Sequence, residues 1–386
     1  MRARQGRRAE AVRRILVRCP NHAGDVVMAT PGLAALREAH PQAEIVAHLP
    51  APLIPLLEGA GLVDALWAVE SRGGGVRGLR REAARIAAHG FELGVVIPES
   101  ISSALLMRLG RVGHVVGFAR DPLRAALLHE RVPGEAGWGR RRLVSRERFV
   151  LQLVAAVGAR SEGGPPRLRL ATTAAEAERL EAALRPLGSS LAALRDDPPI
   201  VLAPGAGFGE AKQWPAESFA GLADRLASGG APIFVVGAPG EEALVAAVVR
   251  AMRARPFVLA GTLDLGALKV LLRAARLLVS NDAGARHVAA AFGVPSVVFF
   301  GPTSVEKTPD NLDRVEILET DHACRPCYRR RCPIDHRCLR SLSVEQAEQA
   351  AARAIARALP APSAPYERAG EIASSASRER IGDTGR

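Results

Sequence analysis

A carboxylate beside a glycine is the first group in this sequence that could do chemistry. Asp25 follows Gly24 between a short apolar run, Ile15–Val17, and a helical pattern near Thr30–Ala39. A side chain at such a junction can cap the helix, or it can take a proton from the hydroxyl of a substrate that the glycine allows to come close. No Ser-His-Asp set, P-loop or zinc-hydrolase motif competes for a catalytic role. We therefore interpret Asp25 as a candidate general base, with the capping role left open.

A glycine-rich loop offers a place for an anion. The segment GAGFGEAKQWP, residues 205–215, follows an expected strand, Pro199–Leu202. Glycine lets the backbone approach a ligand, and free N–H groups in such a loop can hold phosphate oxygens. Lys212 is close enough in the chain to Gly205 to reach the same anion. The Gly-Lys-Ser/Thr ending of a P-loop is missing, so a flexible loop with a surface lysine is the alternative.

Two more strand-to-helix junctions carry ionisable side chains. Asp282 follows an apolar strand and precedes Gly284, and His287 lies on the helix after that turn. Both side chains can face a cleft, but Asp282 can equally cap the helix while His287 packs against the core. Glu241 begins a helix after another strand. There a carboxylate either interacts with the helix dipole or accepts hydrogen bonds from a ribose.

Four cysteines are close together in CRPCYRRRCPIDHRC: Cys324, Cys327, Cys332 and Cys338. Four thiolates can bind zinc tetrahedrally, and pairing as disulfides is less favoured in a reducing compartment. Their spacing differs from two Cys-x-x-Cys knuckles. We expect a structural role, either a bound zinc ion or a stapled loop, and no part in catalysis.

Apolar runs of strand length alternate with helical patterns twice along the chain, which is typical of parallel sheets covered by helices. We predict two α/β domains of the Rossmann type that face a cleft, at residues 1–170 and 196–358, with a linker at 171–195 and a disordered tail at 359–386. The expected strands are Ile15–Val17, Glu44–His48, Leu93–Ile97, Val112–Gly117, Pro199–Leu202, Pro232–Val236, Arg276–Val279 and Ser296–Phe300.

The composition points to an anionic partner. The 386 residues are 48% hydrophobic and carry a formal net charge of +12, mostly from arginine. Aromatic residues make up 4% and form no stacking motif of RNA-binding modules, so nucleic acid is not expected. No apolar stretch is long enough to span a membrane. We expect a cytoplasmic protein that acts on an acidic substrate at the inner face of the membrane.

Three segments together resemble one enzyme family. They are GDVVMATPGLAALREAHPQAEI, APGAGFGEAKQWPAESFAGLADRL and LAGTLDLGALKVLLRAARLLVSNDAGARHVAAAFGVPSVVFFGPTS. In this order they are similar to the ADP-heptose:lipopolysaccharide heptosyltransferases of glycosyltransferase family 9, in particular the heptosyltransferase II-like members. The resemblance covers roughly residues 13–358 and includes the cysteine cluster. It implies the GT-B glycosyltransferase fold and an inverting transfer that requires no cofactor.

The resemblance also implies roles for residues. Asp25 would be the general base, and the N-terminal domain would bind a lipid A/Kdo-type or other anionic glycolipid, with Arg120 and Arg124 as candidate contacts. The family often has Ser or Thr where this chain has Ala283, so a hydroxyl that the family offers to the donor is absent here. A different nucleotide sugar, or a basic zinc protein that binds nucleic acid, are the alternatives. The residues expected to bind ADP-heptose are Gly205, Gly207, Phe208, Lys212, Glu241, Leu263, Asp282, Gly284 and His287.

Overall fold

The structure is a computed structural model that describes residues 12–70, 75–133, 145–160 and 163–358. The tail expected at 359–386 lies outside the described residues. The strands are β1 Arg14–Arg18, β2 Glu44–Leu49, β3 Ala65–Ala68, β4 Leu93–Val96, β5 His114–Phe118, β6 Glu130–Val132, β7 Ile200–Ala203, β8 Ile233–Gly237, β9 Phe257–Ala260, β10 Leu277–Asn281, β11 Ser296–Phe300 and β12 Val315–Glu319. The α-helices are α1 Ala23–Ala39, α2 Gly75–His89, α3 Ile101–Leu109, α4 Pro122–Ala126, α5 Arg146–Ala155, α6 Ala174–Leu184, α7 Leu191–Asp196, α8 Ala216–Ala227, α9 Glu242–Ala251, α10 Leu265–Ala274, α11 Gly284–Ala291, α12 Arg337–Arg340 and α13 Val344–Arg357.

Two parallel sheets of six strands form the framework, which confirms the predicted fold class. Their orders are β3-β2-β1-β4-β5-β6 and β12-β11-β10-β7-β8-β9. When the six strands of each sheet are numbered along the chain, both sheets have the strand order of the Rossmann fold, and the second order is written above in the opposite direction. The order reverses between β1 and β4 in the first sheet and between β7 and β10 in the second. In sheets of this kind ligands bind at the carboxyl ends of the strands beside that reversal.

Helix α1 begins earlier than the sequence pattern indicates. We expected a helix near Thr30–Ala39, but the first turn starts at Ala23. The proline within the pattern, Pro31, hides the early start because it has no N–H to donate to the oxygen of Val27. The hydroxyl of Thr30 donates to that oxygen instead, at 2.7 Å. Asp25 therefore lies in the first turn of the helix and not before it.

The two sheets share one apolar core. Buried side chains of α1, such as Val27, and of α11, such as Val288, belong to the same hydrophobic cluster. A buried ion pair lies in the same region: Nζ of Lys269 on α10 is 2.9 Å from Oε1 of Glu176 on α6. Lys269 also donates to the main-chain oxygens of Ala171, at 2.7 Å, and Glu58, at 3.3 Å. These contacts join α10 to the segment before α6 and to the segment between β2 and β3.

Within the described residues, no helix combines the length and apolar character needed to cross a membrane.

Candidate functional site

The centre of the site is the carboxylate of Asp282, in the turn between β10 and α11. Oδ2 accepts hydrogen bonds from Nζ of Lys212 at 2.6 Å and from Oγ1 of Thr303 at 2.8 Å. Oδ1 accepts a hydrogen bond from Nε of Arg286 at 2.9 Å. Lys212 comes from the loop after β7 and Thr303 from the loop after β11. One carboxylate thus holds two loops and the first turns of α11 together.

The neighbours of Asp282 stabilise its charge. Burial acts to raise the pKa of this carboxyl, but the positive charges of Lys212 and Arg286 outweigh burial and hold the pKa well below its usual range. The carboxylate is therefore ionised near neutral pH. Lys212 is fixed as well, since its Nζ also donates to the main-chain oxygen of Asp282 at 2.8 Å. Two cations around one carboxylate leave a net positive charge, which suits an anionic ligand.

The glycine loop after β7 approaches Glu241 so closely that only glycine fits at position 205. A β-carbon on Gly205 would overlap the carboxylate of Glu241. The main-chain N–H of Ala238 donates to Oε2 of that carboxylate at 2.9 Å and fixes it beside the loop. Gly207 has open space around it, and Phe208 exposes part of its ring with the ammonium of Lys212 5.1 Å from the ring centre. The loop thus presents open backbone, a fixed carboxylate and an aromatic face in one place.

The starts of helices α1 and α11 meet at two glycines. A β-carbon on Gly284, at the start of α11, would lie 3.2 Å from Cβ of Ala23 at the start of α1. A β-carbon on Gly24 would lie 2.8 Å from Cδ2 of His287. The N-terminal ends of the two helices therefore converge, and both present N–H groups and the positive end of a helix dipole.

Asp25 lies beside this contact and does not cap α1. The residue at the cap position, His22, makes no capping hydrogen bond through its side chain. Oδ1 of Asp25 instead faces Nε of Arg146 at 3.4 Å, and the carboxylate is about a quarter exposed, at 27%. Nη1 of Arg146 lies 3.6 Å from Oε1 of Glu99, in the loop after β4. Arg146, at the start of α5, thus joins the loops on both sides of the strand-order reversal in the first sheet.

The imidazole of His287 is neutral near physiological pH. Its burial and, next, the positive charge of Arg286 lower the pKa of His287 well below the usual range. A neutral imidazole can donate one hydrogen bond and accept another. His287 is buried, as the alternative of packing against the core requires, and its ring also lies at the contact between α1 and α11, against Gly24.

One of the two candidate arginines of the acceptor side is unsuitable. The guanidinium of Arg124 is fully buried and donates to the main-chain oxygens of Phe118 and Pro98, each at 2.8 Å, and of Ser100. Its donors are used within the protein, so the prediction that Arg124 binds a substrate is wrong. Arg120 is exposed, as a surface contact requires.

Leu263, the residue expected near an adenine ring, lies in the loop after β9. Its side chain is half-buried and packs against the core shared by both sheets. β9 is the edge strand next to β8, which Glu241 follows. The position is compatible with one wall of a base pocket, and the role stays a prediction.

The cysteine segment, residues 324–338, packs against the loops of the site. The main-chain N–H of Ala211 donates to the oxygen of Arg330 at 3.1 Å. A β-carbon on Gly209 would lie 2.5 Å from that oxygen, and φ at Gly209 is +149°, so glycine is required there. The main-chain N–H of Tyr328 donates to the oxygen of Pro302 at 2.9 Å. The segment thus fixes the glycine loop and the loop after β11.

The four cysteine thiols lie near one another, because burial and then the charges of Cys324, Cys332 and Cys327 raise the pKa of Cys338. Their thiols are free, and among the described residues no three His, Cys, Asp or Glu side chains are grouped so that they could hold a metal ion. Cys332 does accept a hydrogen bond from a main-chain N–H at 3.4 Å. The structural zinc stays a prediction, and what the structure shows is that the segment contacts the glycine loop and the loop after β11.

Several residues of the site were missed in the sequence. Arg146, Arg286 and Thr303 all contact a predicted site residue. Thr303 lies in a glycine turn after a strand, which is a usable signal. Arg286 is four residues after Asp282, the spacing of an ion pair on one turn of helix. Arg146 has no signal, because only the fold brings it to Asp25.

Residues 79–337, more than half of the chain, match the family described as glycosyltransferase family 9 (heptosyltransferase). The lipopolysaccharide heptosyltransferase 2 of Salmonella typhimurium is 31% identical over 314 residues, which cover 79% of this chain and 87% of that protein.

Two solved structures share the fold. A glycosyltransferase of family 9 from Veillonella parvula superposes with a TM-score of 0.76 and 23% identity, over 89% of this chain and 97% of that one. The ADP-heptose LPS heptosyltransferase II of E. coli gives a TM-score of 0.72 and 23% identity, over 89% and 98% of the two chains. The two parallel sheets are thus those of a GT-B glycosyltransferase.

Proposed function

Because the chain belongs to glycosyltransferase family 9, the heptosyltransferases, we propose that it transfers a heptose from ADP-heptose to the inner core of a lipopolysaccharide or a related anionic glycolipid. The observation that carries this proposal is the contact between Gly24 and His287. The contact packs the start of α1, which carries Asp25, against α11, which follows Asp282. A base on one sheet and an anion-binding group on the other are what a transfer from a sugar diphosphate to a hydroxyl requires.

The second domain binds the donor in this proposal. Glu241 accepts hydrogen bonds from the ribose, Leu263 and Phe208 contact the nucleoside, and Gly205 and Gly207 allow the diphosphate close to the backbone. Lys212 and the N-terminus of α11, at Gly284, balance the charge of the phosphates. Asp282 acts by holding Lys212 in place, because its oxygens are already used by protein donors. The neutral imidazole of His287 forms hydrogen bonds with hydroxyl groups of the sugar.

The reaction proceeds by direct displacement. Asp25 takes the proton of the acceptor hydroxyl while the oxygen of that hydroxyl forms a bond to the anomeric carbon. The bond from that carbon to the diphosphate breaks on the opposite face, so the configuration inverts, through a state of oxocarbenium character like that of glycoside hydrolysis. ADP leaves with its new negative charge stabilised by Lys212 and backbone N–H groups. This proposal assigns no step to a metal ion, so chelation with EDTA should leave the rate unchanged.

The acceptor binds to the first domain, and its anionic groups meet a basic surface. The chain has a net charge of +12, and the exposed Arg120 is a candidate contact for a phosphate or carboxylate of a lipid A/Kdo-type glycolipid. Such an acceptor is anchored in the membrane, so the protein works at its inner surface. We expect binding to vesicles that contain the acidic glycolipid to weaken as the salt concentration rises.

The test is a donor panel with release of ADP or another nucleotide as the signal. The purified protein is given a Kdo-containing lipid A acceptor together with ADP-heptose, other ADP-sugars, UDP-sugars or GDP-sugars. Acceptor-dependent release with ADP-heptose, and a product with the opposite anomeric configuration by NMR, are expected. Turnover with a different nucleotide sugar and none with ADP-heptose would overturn the proposed donor. It would leave the proposed glycosyl transfer unchanged.

A further inference from the structure

Lysine is rare in this chain and two of its lysines lie at one place. The sequence has 52 basic residues, of which three are lysines: Lys212, Lys269 and Lys307. Lys269 is buried in an ion pair, and Lys212 holds Asp282. A lysine carries its charge as a compact point, whereas an arginine fork has a different size and geometry. Lys269 and Lys212 thus each have an ion-pair partner.

The loop that carries Lys307 is tied to the donor site on both sides. Before it, Thr303 donates to Asp282 at 2.8 Å. After it, the hydroxyl of Thr308 accepts a hydrogen bond from Arg286. Further along, Oδ1 of Asp310 lies 3.0 Å from Nη2 of Arg148 at the start of α5. The loop after β11 thus extends from the donor site to the first domain, and Lys307 lies between these anchors.

The ammonium of Lys307 is held in position without an anion. Its Nζ lies 3.8 Å from the centre of the Tyr328 ring, a cation–π contact supplied by the cysteine segment. In the part of the chain that the structure describes, this ammonium makes no ion pair or hydrogen bond with a side chain. Burial and the nearby charges of Arg146 and Lys212 lower the pKa of Lys307. A half-buried cation that two other cations repel is unfavourable unless an anion joins them.

The three cations differ in what already balances them. Arg146 faces the carboxylates of Asp25 and Glu99, and Lys212 is bound to Asp282. Lys307 alone of the three forms no ion pair with a carboxylate among the described residues. An anion bound in the cleft near Lys212 would therefore interact most favourably with Lys307.

We propose that Lys307 binds the diphosphate of the nucleotide-sugar donor, as a second lysine beside Lys212, with the ring of Tyr328 holding its ammonium in place. This inference rests on the proposed function, since it names a contact for the same donor. It also gives the cysteine segment a part in substrate binding, because that segment supplies Tyr328. Lys212, in the loop after β7, and Lys307, in the loop after β11, then both contact the diphosphate.

The experiment measures binding of adenosine, AMP and ADP by calorimetry, which needs no turnover. Lys307→Met removes the charge but keeps an unbranched apolar stem over Tyr328. We expect it to weaken ADP binding about tenfold to a hundredfold, the effect of losing a hydrogen bond to a charged group. AMP should lose less, and adenosine should bind as it does to the unchanged protein, which shows that the site is folded. Lys307→Arg restores the charge and should recover part of the ADP affinity.

The control is Arg331→Ala, which removes an exposed positive charge from the same cysteine segment and should leave ADP affinity within about twofold, as screening of an exposed charge predicts. Lys307→Met with unchanged ADP affinity, or with an equal loss for adenosine and ADP, would overturn the inference. An unchanged protein that binds no ADP would overturn the proposed donor, and this inference with it.

Discussion

Gly24 of the first domain lies directly against the imidazole of His287 in the second: a β-carbon at residue 24 would be 2.8 Å from Cδ2 of the ring. Glycine is needed here for the approach of another element and not for a turn, because residue 24 is already within α1. The contact fixes the distance between Asp25, the next residue, and the loops around Asp282. It is the structural basis for joining a base and a donor site into one proposed active site.

Gly24→Ala should disturb this contact. The added methyl group meets a buried, rigid ring, so the two domains must separate slightly or His287 must turn. We expect transfer to fall about tenfold or more, since small displacements of reacting groups are costly, and the free energy of unfolding to fall by about 1–3 kcal/mol, the usual cost of overpacking. Steady-state kinetics beside unfolding curves provide the check. Full transfer activity in the Gly24→Ala variant would show that the contact is not needed for catalysis.

Asp282→Asn should destabilise the protein strongly. The substitution leaves the buried Arg286 and the partly buried Lys212 without their shared carboxylate, at a cost of about 3–5 kcal/mol for a buried pair. The depressed pKa of Asp282 adds a pH signature. Its contribution is complete above the unfolded value of about 4 and is lost as pH falls through the lower folded value.

The measurement is the free energy of unfolding in urea at several pH values. The difference between the unchanged protein and Asp282→Asn should be constant from pH 7 to about 5 and should shrink only in strong acid. Asp335→Asn is the matched control, because Asp335 also pairs with an arginine but on the exposed surface, and it should change little. Equal effects of the two substitutions would contradict the role given to Asp282.

His287 should affect the free energy of unfolding in a different pH range from Asp282. Its pKa is lowered in the folded state by burial and by Arg286. Below about pH 6.5 the unfolded chain therefore binds a proton at this histidine that the folded protein does not bind. The free energy of unfolding then falls as pH falls, by up to about 1.4 kcal/mol per pH unit. His287→Gln removes this proton, so its unfolding free energy should vary less between pH 7 and 5. An identical slope in both proteins would show that the imidazole titrates normally.

The buried pair of Lys269 and Glu176 should behave as a unit. Lys269→Met leaves a buried carboxylate without its cation and should cost about 3–5 kcal/mol. Glu176→Gln alone should cost less, since an amide can still accept the hydrogen bond of the Thr173 N–H that the carboxylate now accepts at 2.8 Å. In the double variant both charges are gone, and much of the loss should be recovered. Additive losses in urea unfolding would mean that the two side chains do not interact.

The sequence predicts the inner strands of this fold but not its edges. All eight expected strands are present, while β3, β6, β9 and β12 were not anticipated. These four are the edge strands of the two sheets. An inner parallel strand is buried on both faces and gives a continuous apolar run, whereas an edge strand is partly exposed and its pattern is mixed. Burial along β6, Glu130–Val132, shows this, with two of its three residues exposed.

The same limit applies to the site. The sequence indicates Asp25, Lys212 and Asp282 as candidates because each follows a strand that the apolar pattern reveals, and such positions meet at one edge of a sheet. Arg124 was misjudged because charge alone does not tell a buried arginine from an exposed one; here main-chain oxygens satisfy it. Arg146 and Lys307 depend on contacts between segments far apart in the sequence. Their roles follow only from the three-dimensional arrangement.

The most direct test of the central proposal is Asp25→Asn, measured for ADP affinity, thermal unfolding and transfer from ADP-heptose. Glu38→Gln is the control, because Glu38 is an exposed carboxylate on the same helix, about 20 Å away at the helical rise per residue. We predict that Asp25→Asn binds ADP and unfolds like the unchanged protein while kcat falls by about a hundredfold or more, as loss of a general base requires, and that Glu38→Gln transfers normally. Transfer by Asp25→Asn at the rate of the unchanged protein would contradict the assignment of Asp25 as the base.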